Sequence, residues 1–319
     1  MTVSEGNRRV GRVDDGAAIP ETVAVKKHPG WWVAAALVVA CLVLVGLSLA
    51  RNPRVSWGTV GHYLFDPYIL EGLRRTAVLA ILATVLAVII GLVFGFVRLS
   101  RNPVLRAVGA AYVWVFRSVP TLIQVLFWGN MALFVPTISL TVPGSDSRLF
   151  SVPMNDVLTP WLASVAALAV ANGAYFAEIV RAGVLSVNEN YHLAASALGL
   201  NWVQRQRKIV IPISLRVMLP PGGNQFITIL KETTLVSVIG GAEILNHAQT
   251  IYGNNFRVVE LLMVAAIWFL AVTSIAYLLQ SWLERRVGRG QTAVRTAPRW
   301  RDWRAALGRG VTDPPEEGS

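Results

Sequence analysis

Residues 191–221 read YHLAASALGLNWVQRQRKIVIPISLRVMLPP, and the organisation of the whole chain turns on this stretch. It lies between two long apolar segments yet carries Arg205, Arg207, Lys208 and Arg216. The pattern predicts two short helices with a break between them. Asn190 is a suitable N-cap, 191–198 supply two turns, and Gly199 accepts the left-handed conformation that closes many helices. Asn201 is placed to cap a second piece, which Pro212 is expected to end. A helix–glycine–helix element displayed between apolar segments suits docking. An ordinary amphipathic interfacial helix–turn–helix would share the same features.

Outward from this stretch the chain is strongly apolar. Of 319 residues 54% are hydrophobic and 15% charged, with a mean hydropathy of +0.52. A soluble domain of this size carries nearer a quarter charged residues. Several runs exceed the roughly 18 apolar residues that suggest a bilayer span. The expected fold is therefore all-α, a polytopic membrane bundle of about six transmembrane helices. The net charge of +11 is not a nucleic-acid signal, because the basic residues fall in loops and tails between spans. A single cysteine, Cys41, rules out a disulfide within the chain and a cysteine-based metal site.

Residues 1–30 are polar and read as a disordered tail. The run 31–50 is longer than a signal peptide's apolar region, so it is expected to stay as a helix. Residues 51–70 read as a connection. A second span covers about 76–97, with Gly91 and Gly95 at the spacing that lets membrane helices approach closely; a chance pair would look the same. A basic loop with Arg98, Arg101 and Arg106 follows. The third span, about 108–134, contains Arg117 and is broken by Pro120. A loop at 135–158 precedes the fourth span, about 160–184. The fifth segment, about 225–240, is short, interrupted by Lys231-Glu232, and reads as broken or tilted. A turn around Tyr252-Gly253-Asn254 leads to the sixth span, about 259–283, and an arginine-rich end.

More basic residues collect beside the N-terminal tail, the 98–106 loop, the 191–221 stretch and the C-terminal arginines than on the opposite side. That asymmetry predicts cytoplasmic N- and C-termini, with the 191–221 stretch on the same face. Arg74 and Arg75 fall on the outer side against this trend.

A charge at mid-span costs on the order of 2.5–3.5 kcal/mol on insertion scales, so such residues need partners or water. Arg117, Glu178, Lys231 and Glu232 are the candidates. Glu178 and Arg181 are three apart on one helical face and can pair. Lys231 and Glu232 are adjacent and point in different directions. One is expected to line a pathway while the other holds a neighbouring helix; alternatively both sit in a polar helix junction.

The residues also carry a family resemblance. Ala194-Ala195, Gly199 and Ile209-Val210-Ile211-Pro212 resemble the Glu-Ala-Ala loop of ABC-importer permeases in spacing throughout, with Leu193 where the family has Glu. YVWVFRSVPTLIQVLF, ANGAYFAEIVRAGVLSV and KETTLVSVIGGAEIL resemble three segments of the polar amino-acid branch (histidine, glutamine, arginine, opine). The resemblance covers about 70–287 and leaves out the first span and the C-terminal tail.

It implies a permease transmembrane domain at 70–287, an extra helix at 31–50, and polar tails at 1–30 and 288–319. The chain is then a membrane-spanning subunit of an ATP-driven amino-acid importer in the bacterial cytoplasmic membrane. It is not itself an enzyme, having no catalytic residue, cofactor or metal. The implied partners are ATP-binding cassette ATPase subunits, an extracytoplasmic solute-binding protein, a second permease copy or paralogue, and membrane lipid.

Leu193, Ala194, Ala195, Gly199, Leu200, Arg205, Ile209 and Pro212 would couple to the ATPase, without the salt bridge a glutamate at 193 could make. Arg205, Arg207 and Lys208 would meet either acidic ATPase surface or anionic lipid. A substrate pathway near the bilayer midplane would be lined by Tyr175, Glu178, Lys231, Glu232 and Thr233. The chain has no GxxxxGK[ST] loop of its own. A membrane enzyme using Glu178 or Glu232 would need turnover without partners. An ion-coupled secondary transporter, the other alternative, often shows internal repeats; none is evident.

Overall fold

The computed structural model describes residues 29–53, 55–141 and 148–287. The expected tails at 1–30 and 288–319 lie almost wholly outside them. The chain divides between Val55 and Ser56. On the first side, helix α1 (Pro29–Ala50) is 22 residues long and carries the first apolar run.

On the other side, the connection expected at 51–70 is partly helical: α2 (Trp57–Leu64) is capped by Ser56 and buries Val60. Three long helices then start in the same way. Asp66, Asn102 and Thr159 each cap a helix whose first residue is proline. The short polar side chain accepts an orphan N–H, and proline at the first position forfeits no bond. These helices are α3 (Pro67–Arg98), α4 (Pro103–Ser118) and, beyond the intervening segments, α8 (Pro160–Leu185).

Between α4 and α8 lie α5 (Thr121–Gly129), α6 (Met131–Phe134), strands β1 (Thr137–Thr141) and β2 (Arg148–Pro153), and α7 (Met154–Val157). The strands pair antiparallel, Thr137 opposite Pro153 and Ser139 opposite Ser151, so the expected loop at 135–158 contains a hairpin. The third span is bent by 97° between α4 and α5. Pro120 is the cause, since it has no N–H to offer Phe116.

After α8 come α9 (Glu189–Ala197), α10 (Trp202–Arg205), a π-helical turn (Gln206–Val210) and α11 (Ile211–Glu232). A 3-10 segment (Thr233–Ile239), α12 (Ile244–Asn255) and α13 (Val258–Val287) complete the bundle. The turn expected around Tyr252-Gly253-Asn254 is instead the end of α12; the chain reverses at Phe256, in the left-handed region with φ 59°.

Among the described residues three helices, α3, α8 and α13, are long and apolar enough to cross a bilayer, or four spans if the bent α4–α5 pair counts as one. The remaining expected segments are α1 and the proline-interrupted α11. In α8, 72% of the apolar window is buried, against 28% in α3 and 22% in α13. The bundle is therefore built around α8, and α3 makes its most extensive contact with it. The buried stripe of α3 is Ala80, Ala83, Ala87, Gly91 and Gly95, while Ile81, Val85, Ile89 and Val93 face outward. Small residues let the two backbones approach where lipid offers no hydrophobic drive to association. A Cβ at Gly91 would overlap Phe176, and one at Gly95 would sit 2.8 Å from Val180 Cβ. The glycine pair is thus a packing device and not a coincidence of composition.

Arg74 and Arg75 lie on the first turns of α3, where Glu71 pairs with both at 2.7 and 2.8 Å. Their charge is partly neutralised within one helix.

Candidate functional site

The 191–221 stretch forms a rigid angled element. Its cap is Asn188, two residues before the expected Asn190, with Oδ1 accepting from Asn190 N at 2.9 Å. Helix α9 closes on Gly199, φ 66°. Gly199 N donates to Ser196 O and Leu200 N to Ala195 O, both at 3.0 Å. These two bonds form a Schellman closure, which requires a left-handed residue at this place. Asn201 and Gln204 then cap each other reciprocally at 2.9 and 3.0 Å.

Pro212 does not end the second piece. The chain passes through the π-helical turn and continues as α11 with Pro212 in its first turn. The wider turn changes the bonding ladder just where proline lacks a donor. The second half of the element is therefore continuous with a helix of the bundle.

Ala195 is fully buried, while Leu193, Leu198, Trp202 and Val203 are at least half exposed. Ala194 and Gly199 are exposed, and Leu200, Arg205 and Ile209 half-buried. The Nε of Arg205 is buried without a hydrogen-bond partner among the described residues.

A polar cavity of about 370 Å³ lies between α4, α8 and α11, lined in part by Arg117, Tyr175, Glu178, Pro221, Asn224 and Gln225. The Arg117 guanidinium sits 5.0 Å from the centre of the Tyr175 ring. Glu178 makes the expected pair with Arg181, at 2.6 Å. It also pairs with Arg98, which the sequence placed in a basic loop and which is the last residue of α3.

Lys231 is exposed, Thr233 is buried with its hydroxyl donating to Leu230 O at 2.7 Å, and neither lines this cavity. Glu232 turns inward. It accepts from Asn172 Nδ2 at 2.9 Å and Thr121 Oγ1 at 3.3 Å. Asn172 Oδ1 accepts in turn from Gln225 Nε2 at 2.5 Å. A polar chain thus runs from Glu232 through Asn172 to the cavity wall.

Asn172, Gln124 and Gln225 carry no charge and are not singled out by charges inside spans, and Arg98 belongs to α3 instead of the expected loop. Neutral amides at membrane depth are also costly unless paired, and that was the available signal.

Residues 67–289 match the family of binding-protein-dependent transport system inner membrane components. The chain belongs to that family. It is 36% identical over 283 residues to the arginine transport system permease protein ArgU of Corynebacterium glutamicum, covering 88% of each chain. It is 33% identical to the glutamine transport system permease protein GlnP of Escherichia coli, covering 69% of this chain and 93% of that one. A chain in the crystal structure of an amino acid ABC transporter with histidines superposes with a TM-score of 0.61 at 31% identity, covering 73% of this chain and 99% of that one. The chain is thus a membrane permease component of the binding-protein-dependent type, and these relatives lend no support to an ion-coupled carrier.

Proposed function

We propose that the chain is the membrane-spanning subunit of an ATP-driven importer of amino acids, with α9 and α10 as the handle by which an ATPase subunit moves it. The observation that carries this is the rigid, doubly capped α9–Gly199–α10 element. It displays Leu193, Leu198, Trp202 and Val203 outward while Ala195 anchors it inward. A helix of nine residues is about 13 Å long, so it transmits displacement as a lever. Its continuity with α11 leads that displacement to the wall of the polar cavity. ATP is hydrolysed by the partner, and solute arrives from an extracytoplasmic binding protein.

In this reading Leu193, Ala194, Ala195, Gly199, Leu200, Arg205, Ile209 and Pro212 form the coupling element, and residues 70–287 the transport domain. A second permease copy or paralogue completes the pathway in the bacterial cytoplasmic membrane, with both termini inside. The cavity beside Tyr175 and Glu178 takes the amino acid. Arg117 meets its carboxylate, and the amide oxygen of Gln225 faces its ammonium. Glu232 acts through Asn172, and Lys231 and Thr233 flank it.

The test is ATP-dependent uptake of labelled arginine and glutamine by the chain reconstituted with its ATPase and binding protein. Trp202→Ala and Leu198→Ala are expected to weaken retention of the ATPase about tenfold, the scale of an interface hot spot. Glu232→Gln is expected to change uptake while leaving the ATPase bound. Undiminished flux with residues 191–205 scrambled would refute the coupling role.

A further inference from the structure

A second cavity differs in character from the one beside Tyr175 and Glu178. A groove of about 560 Å³ runs between α3, α8, α11 and α13, walled by Val88, Leu92, Val180, Met218, Phe226 and Leu279 among others. Its polar side chains are Trp282, Thr84, which donates to Ala80 O, and Gln280, whose amide nitrogen lies within hydrogen-bond reach of Pro220 O, Asn224 Oδ1 and Glu284 Oε1. One acceptor, Gln280 Oε1, is left without a partner. Among the described residues no charged side chain lines the groove, so they offer nothing to hold the two charges of an amino acid.

Its position is specific. It lies along the half of the bundle nearest the 191–221 element: the C-terminal parts of α3, α8 and α13 and the N-terminal part of α11. From Leu215 to Phe226 it follows α11 for about 16 Å, comparable to half of a hydrocarbon core about 30 Å thick. It opens outward, with Leu215, Leu279 and Trp282 each more than half exposed. At its mouth the Arg286 guanidinium lies 4.6 Å from the centre of the Trp282 ring. Among the described residues neither Arg285 nor Arg286 makes an ion pair, and the chain beyond them continues arginine-rich.

We infer that this groove is a binding site for an anionic phospholipid of the inner leaflet, its acyl chain along α11 and its phosphate at Arg286. Basic pockets between helices on the cytoplasmic side attract anionic headgroups, and an aromatic ring beside the cation marks the interfacial level. The apolar wall then meets hydrocarbon over the depth of one leaflet. The inference rests on the proposed cytoplasmic placement of the C-terminus and on the groove's own chemistry, independently of which solute is carried.

The full-length chain, purified in detergent, is incubated with phosphatidylglycerol or with phosphatidylcholine of identical acyl chains, and retained lipid is counted by native mass spectrometry. Preferential retention of phosphatidylglycerol is expected. Arg286→Gln should reduce that preference about fivefold, the scale of one basic side chain at a lipid surface. A Cβ at Gly222 meets only Phe176 Cε1, at 3.7 Å, so Gly222→Leu fills the groove from α11 without a backbone clash. It should lower retention of both lipids, and Leu279→Trp does the same from α13. Equal retention of the two lipids by the unaltered chain overturns the proposal. So does retention unmoved by both filling variants, or a change of oligomeric state on filling, which would put a second copy in the groove.

Discussion

The side-chain amide of Gln124 donates to the main-chain oxygen of Phe116 at 3.0 Å. In an unbroken helix the donor to Phe116 would be residue 120, which here is a proline without an N–H. The same amide reaches Val119 O at 2.9 Å. A side chain one turn beyond the break thus replaces the bond the break removes. The 97° bend between α4 and α5 is in this way compatible with burial at membrane depth.

Replacing Gln124 by Met should retain volume and orphan these carbonyls. An unsatisfied buried polar group costs about 1–3 kcal/mol, so a lower melting temperature in detergent is expected. A variant as stable as the parent would show that the bend does not depend on this amide.

Arg98 and Glu178 join α3 to α8 from positions 80 residues apart. Both are partly exposed, which places their coupling between a surface pair and a buried one, about 1–2 kcal/mol. A double-mutant cycle with Arg98→Gln and Glu178→Gln measures it by thermal unfolding. The Arg181 pair shares the same carboxylate, so Glu178→Gln should cost more than Arg98→Gln.

Gly91→Val should be poorly tolerated, because Phe176 and the α8 backbone occupy the space a side chain needs. Overpacking of this kind costs about 1–3 kcal/mol. Gly61→Ala is the control, since nothing lies within 4 Å of a Cβ there. Yield and melting temperature should separate the two.

Glu243 sits in the turn between the 3-10 segment and α12, outside the spans, and is fully buried. Burial pushes its carboxyl up from 4.5 to about 7, against the opposing donors Leu245 N and Asn246 N. The folded chain therefore holds this proton more tightly than the unfolded one. The stabilisation from protonation is present below about 4.5 and lost as pH rises through about 7. Melting temperature should fall over that window in the parent, and less so in Glu243→Gln.

Much of this architecture was legible along the chain because it is local. Apolar runs of bilayer length, the break at Pro120 and the closure at Gly199 each depend on residues within a turn or two, whereas the helix starts at Asp66-Pro67, Asn102-Pro103 and Thr159-Pro160 fell in or beside stretches expected as connections. The Glu178–Arg181 pair was readable for the same reason. The reading of Pro212 as a stop was not correct, because a π-helical turn before it moved proline into the first turn of the next helix.

The sequence alone determined the membrane class, the bent third span and the angled element, since helix spacing and proline chemistry act over neighbouring residues. Only the tertiary structure decided that Arg98 answers Glu178, that Glu232 turns to Asn172 while Lys231 stays outside, and that Gly91 and Gly95 admit α8. Those choices depend on which helix lies opposite. A polar side chain at membrane depth must find a partner, but its own segment does not name the helix that supplies one.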